Sequence, residues 1–364
     1  MKKTLLTICL VWMCFSLSAQ KIIDLSGKWS FSIDRQDNGE KEKWFSHTLN
    51  DFINLPGSMP EKLKGDEVTA KTQWTGSLYD SSYYYNPYME KYRKEGNIKF
   101  PFFLTPDKHY VGAAWYQKEV NIPADWKGER ILLFLERPHI ETTVWVNGQK
   151  TGMQNSLCVP HQYDITRYVR PGKCTITIRV DNRIKEINVG PDSHSITDQT
   201  QGNWNGIVGR ICLQTTPKTY FDDIQIYPEP EQKLARVKVV IKGTGTAKVK
   251  LSAESFNTDK KHIVPAIQQE IKLNKGVTET EMVLPMGNDM LLWDEFHPAL
   301  YKLKAEVTNG KKTEIKEIQF GMRRFEIKGK WFYVNGRKTQ LRGTVENCDF
   351  PLTGYAPICL LYTS

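Results

Sequence analysis

Two short segments concentrate the side chains that can do chemistry. In SITDQTQGNWNGIVGRICL, running from Ser195 to Leu213, Asp198, Trp204 and Asn205 stand just ahead of Gly206 and Gly209. The glycines let the backbone turn tightly and approach another chain or a ligand. The acid, indole and amide beside them can serve that ligand or serve the fold, with Asp198 capping a turn and Trp204 packing between domains. In LRGTVENCDFP, running from Leu341 to Pro351, Arg342 can anchor a carboxylate or pair with a structural acid, and Glu346, Asn347 and Asp349 follow it closely. No metal site is expected. Cys158, Cys174, Cys212, Cys348 and Cys359 form no CxxC and no paired-His pattern.

Such groups must be held by rigid elements, and the pattern around them is β. From Ile22 to about Pro217 the chain reads as short strands with turn signals between them. LSGKWSFSID alternates Leu25, Trp29, Phe31 and Ile33 with polar partners, while AAWYQKEVNIP and ERILLFLERP end at Pro-bounded turns. TTVWVNGQKTG predicts a hairpin turning at Asn147-Gly148, a pair that accepts positive φ. CTITIRVDN is another period-2 strand, reached through Pro171-Gly172. Many short strands and almost no helical periodicity predict a jelly-roll sandwich over 20–217. Between Thr219 and Phe320, FDDIQIYP, ARVKVVIKG, AKVKLSAES, AIQQEIKL, TETEMVL, YKLKAEV and TEIKEIQF alternate in the same way. About seven strands in about 100 residues predict an immunoglobulin-like sandwich over 218–320. The inter-sheet cysteine pair of antibody domains is absent, so its core must rest on packing.

Composition narrows the setting. The opening residues MKKTLLTICLVWMCFSLSAQ read as a secretory signal over 1–19, with Lys2 and Lys3 ahead of an apolar stretch too short to span a bilayer. The expected mature protein is exported, periplasmic or extracellular, with no membrane span. The formal net charge is +9, yet the signs alternate, as in DRQDNGEKEKW and MEKYRKEG. A solvated mixed surface follows, and nucleic acid is not an expected partner. Export permits a disulfide such as Cys158–Cys174, while small strand-facing cysteines also serve as buried core filler.

The order of motifs resembles glycoside hydrolase family 2, which includes β-galactosidases, β-glucuronidases and β-mannosidases. The resemblance rests on LSGKW, LPGS, VWVNGQKTG, HQYDITRYVRPG, WNGIVGRICL, LWDEFHPALY and FGMRRFEIKGKWFYVNGRKTQLRG, in that order. It implies an all-β pair, a jelly-roll sugar-binding sandwich and an immunoglobulin-like sandwich, then the beginning of a (β/α)₈ barrel over 321–364. It implies an oligo- or polysaccharide substrate and no cofactor. In the family an acidic residue on the loop before the G-I element contacts the sugar, and Asp198 matches it, with Trp204 and Asn205 nearby. Leu341 would end the first barrel strand, which would set Arg342, Glu346, Asn347 and Asp349 at the substrate face. ENCD here departs from the RHED-type sequence of many β-galactosidases, which leaves galactose specificity and that subgroup's metal site open. Between Met59 and Asp107 lies an irregular stretch with the cluster SLYDSSYYYNPYMEKY. Its aromatic faces suit the apolar C–H faces of sugar rings, and they also suit packing over an open sheet end.

The family hydrolyses O-glycosyl bonds with retention, using one carboxylate as nucleophile and another as acid and then base. Both are glutamates on later barrel strands, and a barrel takes on the order of 250 residues. No catalytic residue is therefore assigned within the 364 residues. The expectation is the N-terminal portion of an exported retaining β-glycosidase, inactive alone. The tail APICLLYTS departs from the polar loop and amphipathic helix that should follow, which suggests a broken frame near Ala356. The alternative is a non-catalytic carbohydrate-binding protein of two sandwiches.

Overall fold

The computed structural model describes residues 21–75, 85–98, 105–157, 159–185, 198 and 202–343, with only the backbone for Lys275. The signal segment, Cys158, the tyrosines at 79, 83 and 84, Glu346, Asn347, Asp349 and the last nine residues lie outside them. The described residues divide into two compact units, Lys21–Thr216 and Pro217–Arg342.

In the first unit the strands are β1 (Ile22–Asp24), β2 (Gly27–Asp34), β3 (Asp51–Leu55), β4 (Gly57–Ser58), β5 (Asp66–Glu67) and β6 (Lys108–His109). They continue with β7 (Ala113–Ile122), β8 (Arg130–His139), β9 (Glu141–Val146), β10 (Gln149–Asn155), β11 (His161–Asp164), β12 (Gly172–Asp181) and β13 (Gly206–Thr216). One sheet has the order β1-β13-β8-β11, with β4 also on β13; the other has the order β10-β9-β12-β7-β2-β3. Alternation decides what faces inward. Ile176, Ile178 and Val180 of β12, Ala114 and Tyr116 of β7, Leu133 and Leu135 of β8, and Ile211 and Leu213 of β13 meet in one core. The expected hairpin is there: Val146 pairs with Gln149, and Asn147 and Gly148 take φ of 49° and 76°. Both central residues at positive φ match the right-handed twist of the strands they join. Cys174 and Cys212 are buried free thiols, Cys174 within the core.

On the outer face of the six-stranded sheet, Trp115 and Trp145 pack with rings tilted by 31° at 5.0 Å, and Phe45 lies flat on Trp145 at 5.2 Å. Their neighbours on that face, Arg179 and Asp181, carry charge (Arg179 sits opposite Trp115 and Thr143, Asp181 opposite Glu141).

The second unit holds β14 (Tyr220–Glu229), β15 (Leu234–Phe256), β16 (Ile263–Pro285), β17 (Leu300–Asn309) and β18 (Lys312–Phe320) in the order β14-β15-β17-β18, with β16 on β15. Here five strands replace the seven expected. ARVKVVIKG and AKVKLSAES are one 23-residue strand, and AIQQEIKL and TETEMVL are another. The cause is Gly243-Thr244-Gly245, which reads as a turn but stays within an unbroken β15–β16 ladder, where the single Thr244 lies opposite a two-residue bulge at 274–275 of β16. Val237, Val239 and Ile241 before the bulge and Val249, Leu251 and Ala253 after it enter a single core with Leu303 and Val307. The sheet therefore bends over on itself.

After this comes a small antiparallel sheet of β19 (Phe325–Lys328), β20 (Trp331–Val334) and β21 (Arg337–Thr339). The expectation that Leu341 ends a barrel strand does not match: β21 stops at Thr339, and Leu341 is exposed outside any strand. A barrel strand is held by parallel neighbours, and all pairings among the named strands here are antiparallel. The all-β class holds, and no helix of the described residues is long and apolar enough to cross a membrane.

Candidate functional site

Asp198, Trp204 and Asn205 come together in the first unit, ahead of β13. All three are buried. Asp198 accepts from the Thr75 backbone N–H at 2.7 Å and from the Asn203 backbone N–H at 2.7 Å. It thus ties two distant segments and caps the turn into Asn203. Burial pushes its carboxyl above the ordinary range, while the nearby His109 imidazole and the backbone donors oppose that rise. Burial likewise pushes His109 down, against the pull of Asp198. Two ionisable groups that share one dry site thus shift in opposite directions, each towards neutrality.

Asn205 serves the fold. Its amide donates to the carbonyls of Gly112 at 2.9 Å and Val180 at 3.0 Å, and its Oδ1 accepts from the Tyr116 hydroxyl at 2.8 Å. Asn203 reaches Thr75 Oγ1 and the Asn182 carbonyl, and Asn182 in turn holds Tyr110 and Gly112. The result is a box of amide side chains that fixes the loop ends by backbone contacts. Trp204 packs on Val208 and against the His139 ring at 4.5 Å. His139 is buried, and burial drives its pKa down to about 4, only partly offset by the nearby Asn203 side chain. That side chain misses hydrogen-bond geometry, so His139 Nε2 and Asn203 Oδ1 are left without partners.

Thr75 links this box to a cleft of about 860 Å³ on the outer face of the six-stranded sheet. Arg179 donates to Asp37 at 2.7 Å and Asp181 at 3.0 Å. Arg183 donates to Asp181 at 2.5 Å and Asp37 at 2.8 Å, and Lys185 pairs with Asp181 and Glu141 at 2.8 Å each. Burial raises the Asp181 carboxyl, but bonds from Arg183 and Lys185 and the charge of Arg179 outweigh it and hold it well below the usual range. The cations around it are correspondingly held charged, and Arg183 is raised chiefly by its bonds to Asp181.

Arg342 lies in the other unit, where it lines a cleft of about 820 Å³ with Trp293, Phe296 and Arg323. There the Arg323 guanidinium lies 4.8 Å over the Trp293 ring, and Arg337 lies 4.6 Å over Phe296. Among the described residues Arg342 forms no ion pair with an acid; Glu346, Asn347 and Asp349 fall outside them. The sequence reading missed His109, His139, Asn203 and the Arg179–Asp181–Arg183 network. Only the network left a trace: IRVDNR places Arg179 and Asp181 on one face of a strand whose other face is apolar.

Two antiparallel sheets around one core, followed by a second all-β unit with a core of its own, define a tandem of β domains. The chain belongs to glycoside hydrolase family 2: the model described as "Glycosyl hydrolases family 2, sugar binding domain" matches residues 22–217, and "Glycosyl hydrolases family 2" matches 219–323. It is 24% identical over 355 residues to a β-glucuronidase of Paenibacillus borealis, covering 92% of this chain and 51% of that one. It is 24% identical over 339 residues to the β-galactosidase large subunit of Latilactobacillus sakei, covering 91% and 51%. Among solved structures it is similar to the apo β-glucuronidase of Ruminococcus gnavus, with a TM-score of 0.61, 19% identity, and coverage of 90% of this chain and 49% of that one. The chain thus spans about half the length of these relatives.

Proposed function

We propose that this chain is the N-terminal portion of an exported retaining β-glycosidase that cleaves O-glycosyl bonds in oligo- or polysaccharides. The observation that carries the reading is the pair of adjacent family matches, 22–217 and 219–323, in a chain half as long as the glucuronidase and galactosidase it resembles. In this reading 20–217 and 218–320 are accessory sandwiches, and 321–364 leads into a catalytic barrel. The loop from Asp198 to Asn205 borders the sugar. Asp198 supplies the contact, and Trp204 and Asn205 act as positioning residues, since their own polar and apolar contacts lie within the sandwich. Arg342, Glu346, Asn347 and Asp349 form the barrel's share of the substrate face. Two carboxylates about 5–5.5 Å apart are needed for retention, and they belong to that barrel.

The purified 364-residue chain is expected to give no turnover of nitrophenyl β-glycosides, and a form extended by a full barrel is expected to give it. Turnover by the short chain, or none by the extended one on glucuronide, galactoside and mannoside, would refute the proposal.

A further inference from the structure

We propose that the cleft on the outer face of the six-stranded sheet is a binding site for a neutral, polyhydroxylated glycan, separate from the Asp198 loop. Asp37, Glu40, Glu141 and the underlying Asp181 are matched by Lys150, Arg179, Arg183 and Lys185, and each acid has a cationic partner within 3.4 Å. A small anion gains no net field here. A cation gains none either.

What the network leaves over is hydrogen-bonding capacity of both kinds. Arg183 uses Nε and Nη2 on Asp181 and Asp37, so Nη1 keeps its two donors. Glu141 receives Arg179 and Lys185 on Oε1, and Glu40 receives Lys150 on Oε1, so each keeps Oε2 as an acceptor. The Thr143 hydroxyl adds a group that does either. A vicinal diol needs just this combination, since each hydroxyl both donates and accepts. Charge-assisted bonds of this type are stronger than neutral ones.

Apolar surface lies among these groups. Val111 is 39% exposed and Met153 51%, and both line the cleft. They can meet the C–H face of a sugar ring while the polar groups take its rim. The floor is rigid, because Arg179 and Thr143 are cross-strand partners on central strands and Met153 pairs with Thr143 from the next strand. A volume of about 860 Å³ falls within the range of small-ligand sites.

The test is affinity electrophoresis of the full 364-residue chain in gels holding neutral galactan, xyloglucan, glucomannan or arabinoxylan, with polygalacturonate as the charged comparison. Retardation is expected by at least one neutral glycan. Arg183→Ala should weaken it about tenfold or more, and Glu40→Gln, at an exposed rim position, about threefold. Melting temperatures of both variants report that the fold is kept; Glu40→Gln decides the matter where Arg183→Ala does not fold. No retardation by any neutral glycan would overturn the proposal. Retardation that both variants retain, or retardation by polygalacturonate alone, would overturn it too. Neither depends on hydrolysis: binding by this chain with an inactive extended form would sink the glycosidase reading and leave the cleft standing.

Discussion

His139 is the residue whose chemistry is most exposed to pH. Its folded pKa of about 4 lies below the ordinary 6.5, so the unfolded chain binds a proton that the folded chain refuses. Stability from this site is complete above pH 6.5, falls as pH drops towards 4, and is flat below. The loss reaches about 3 kcal/mol over that window. His109 and His161 are depressed in the same direction by burial, which steepens the fall, while the raised Asp198 carboxyl contributes in the opposite sense as pH rises through its folded value. Urea unfolding at pH 7.5 and pH 5 should show a marked drop at the lower pH, and His139→Phe should shrink that drop. An unchanged midpoint would contradict the burial of these imidazoles. At this scale little was legible in advance. Asp198 and Asn205 stood out by type, but their partners lie 123 and 93 residues away. No spacing rule connects an amide to a carbonyl that the fold alone brings near.

At the scale of elements, the start of β13 is the tightest joint. Gly206 has φ of +147°, and a Cβ there would sit 2.5 Å from the Gly57 carbonyl oxygen and 2.8 Å from the Ser58 Cα. Both are backbone atoms, so neither can swing aside. Gly206→Ala is expected to cost well over 2 kcal/mol. Gly128, at φ +85° with nothing within 4 Å, should cost only about 1 kcal/mol when changed to Ala. Thermal melts of the two variants side by side test this contrast; equal losses would mean that β4 and β13 do not meet as described. Elements were the most legible level. The Asn147-Gly148 hairpin could be read because turn chemistry is local. The fused β15 and β16 could not, because a glycine pair reads as a turn whether the chain reverses there or runs on opposite a bulge in its partner strand.

For the whole molecule, the placement of a cut is informative. The small sheet after β18 exposes Phe325, Ile327 and Trp331, with Leu341 beyond it, and unpaired apolar strands template aggregation. Removing them should raise solubility. The cut cannot fall at Phe320, however, because Met322 is fully buried in the second core and its carbonyl accepts from Trp293. Ending the chain after Arg323 should give a more soluble protein of nearly unchanged melting temperature. Ending it after Phe320 should cost about 2–4 kcal/mol through the lost methionine. Sedimentation and melts of both truncations decide between them. The two-part organisation was visible in the strand patterns on either side of Pro217, whereas the need for Met322 was not, since one buried methionine beyond a strand leaves no periodic trace.

The continuous strands of the second unit have a further consequence. Because β15 and β16 each run through both halves of the bent sheet, neither half has a seam at which it can detach. Local opening of one half breaks the same ladder that holds the other. Such a unit behaves as a single foldon, and its amides on both sides of Gly243 should exchange with solvent deuterium together, through global opening.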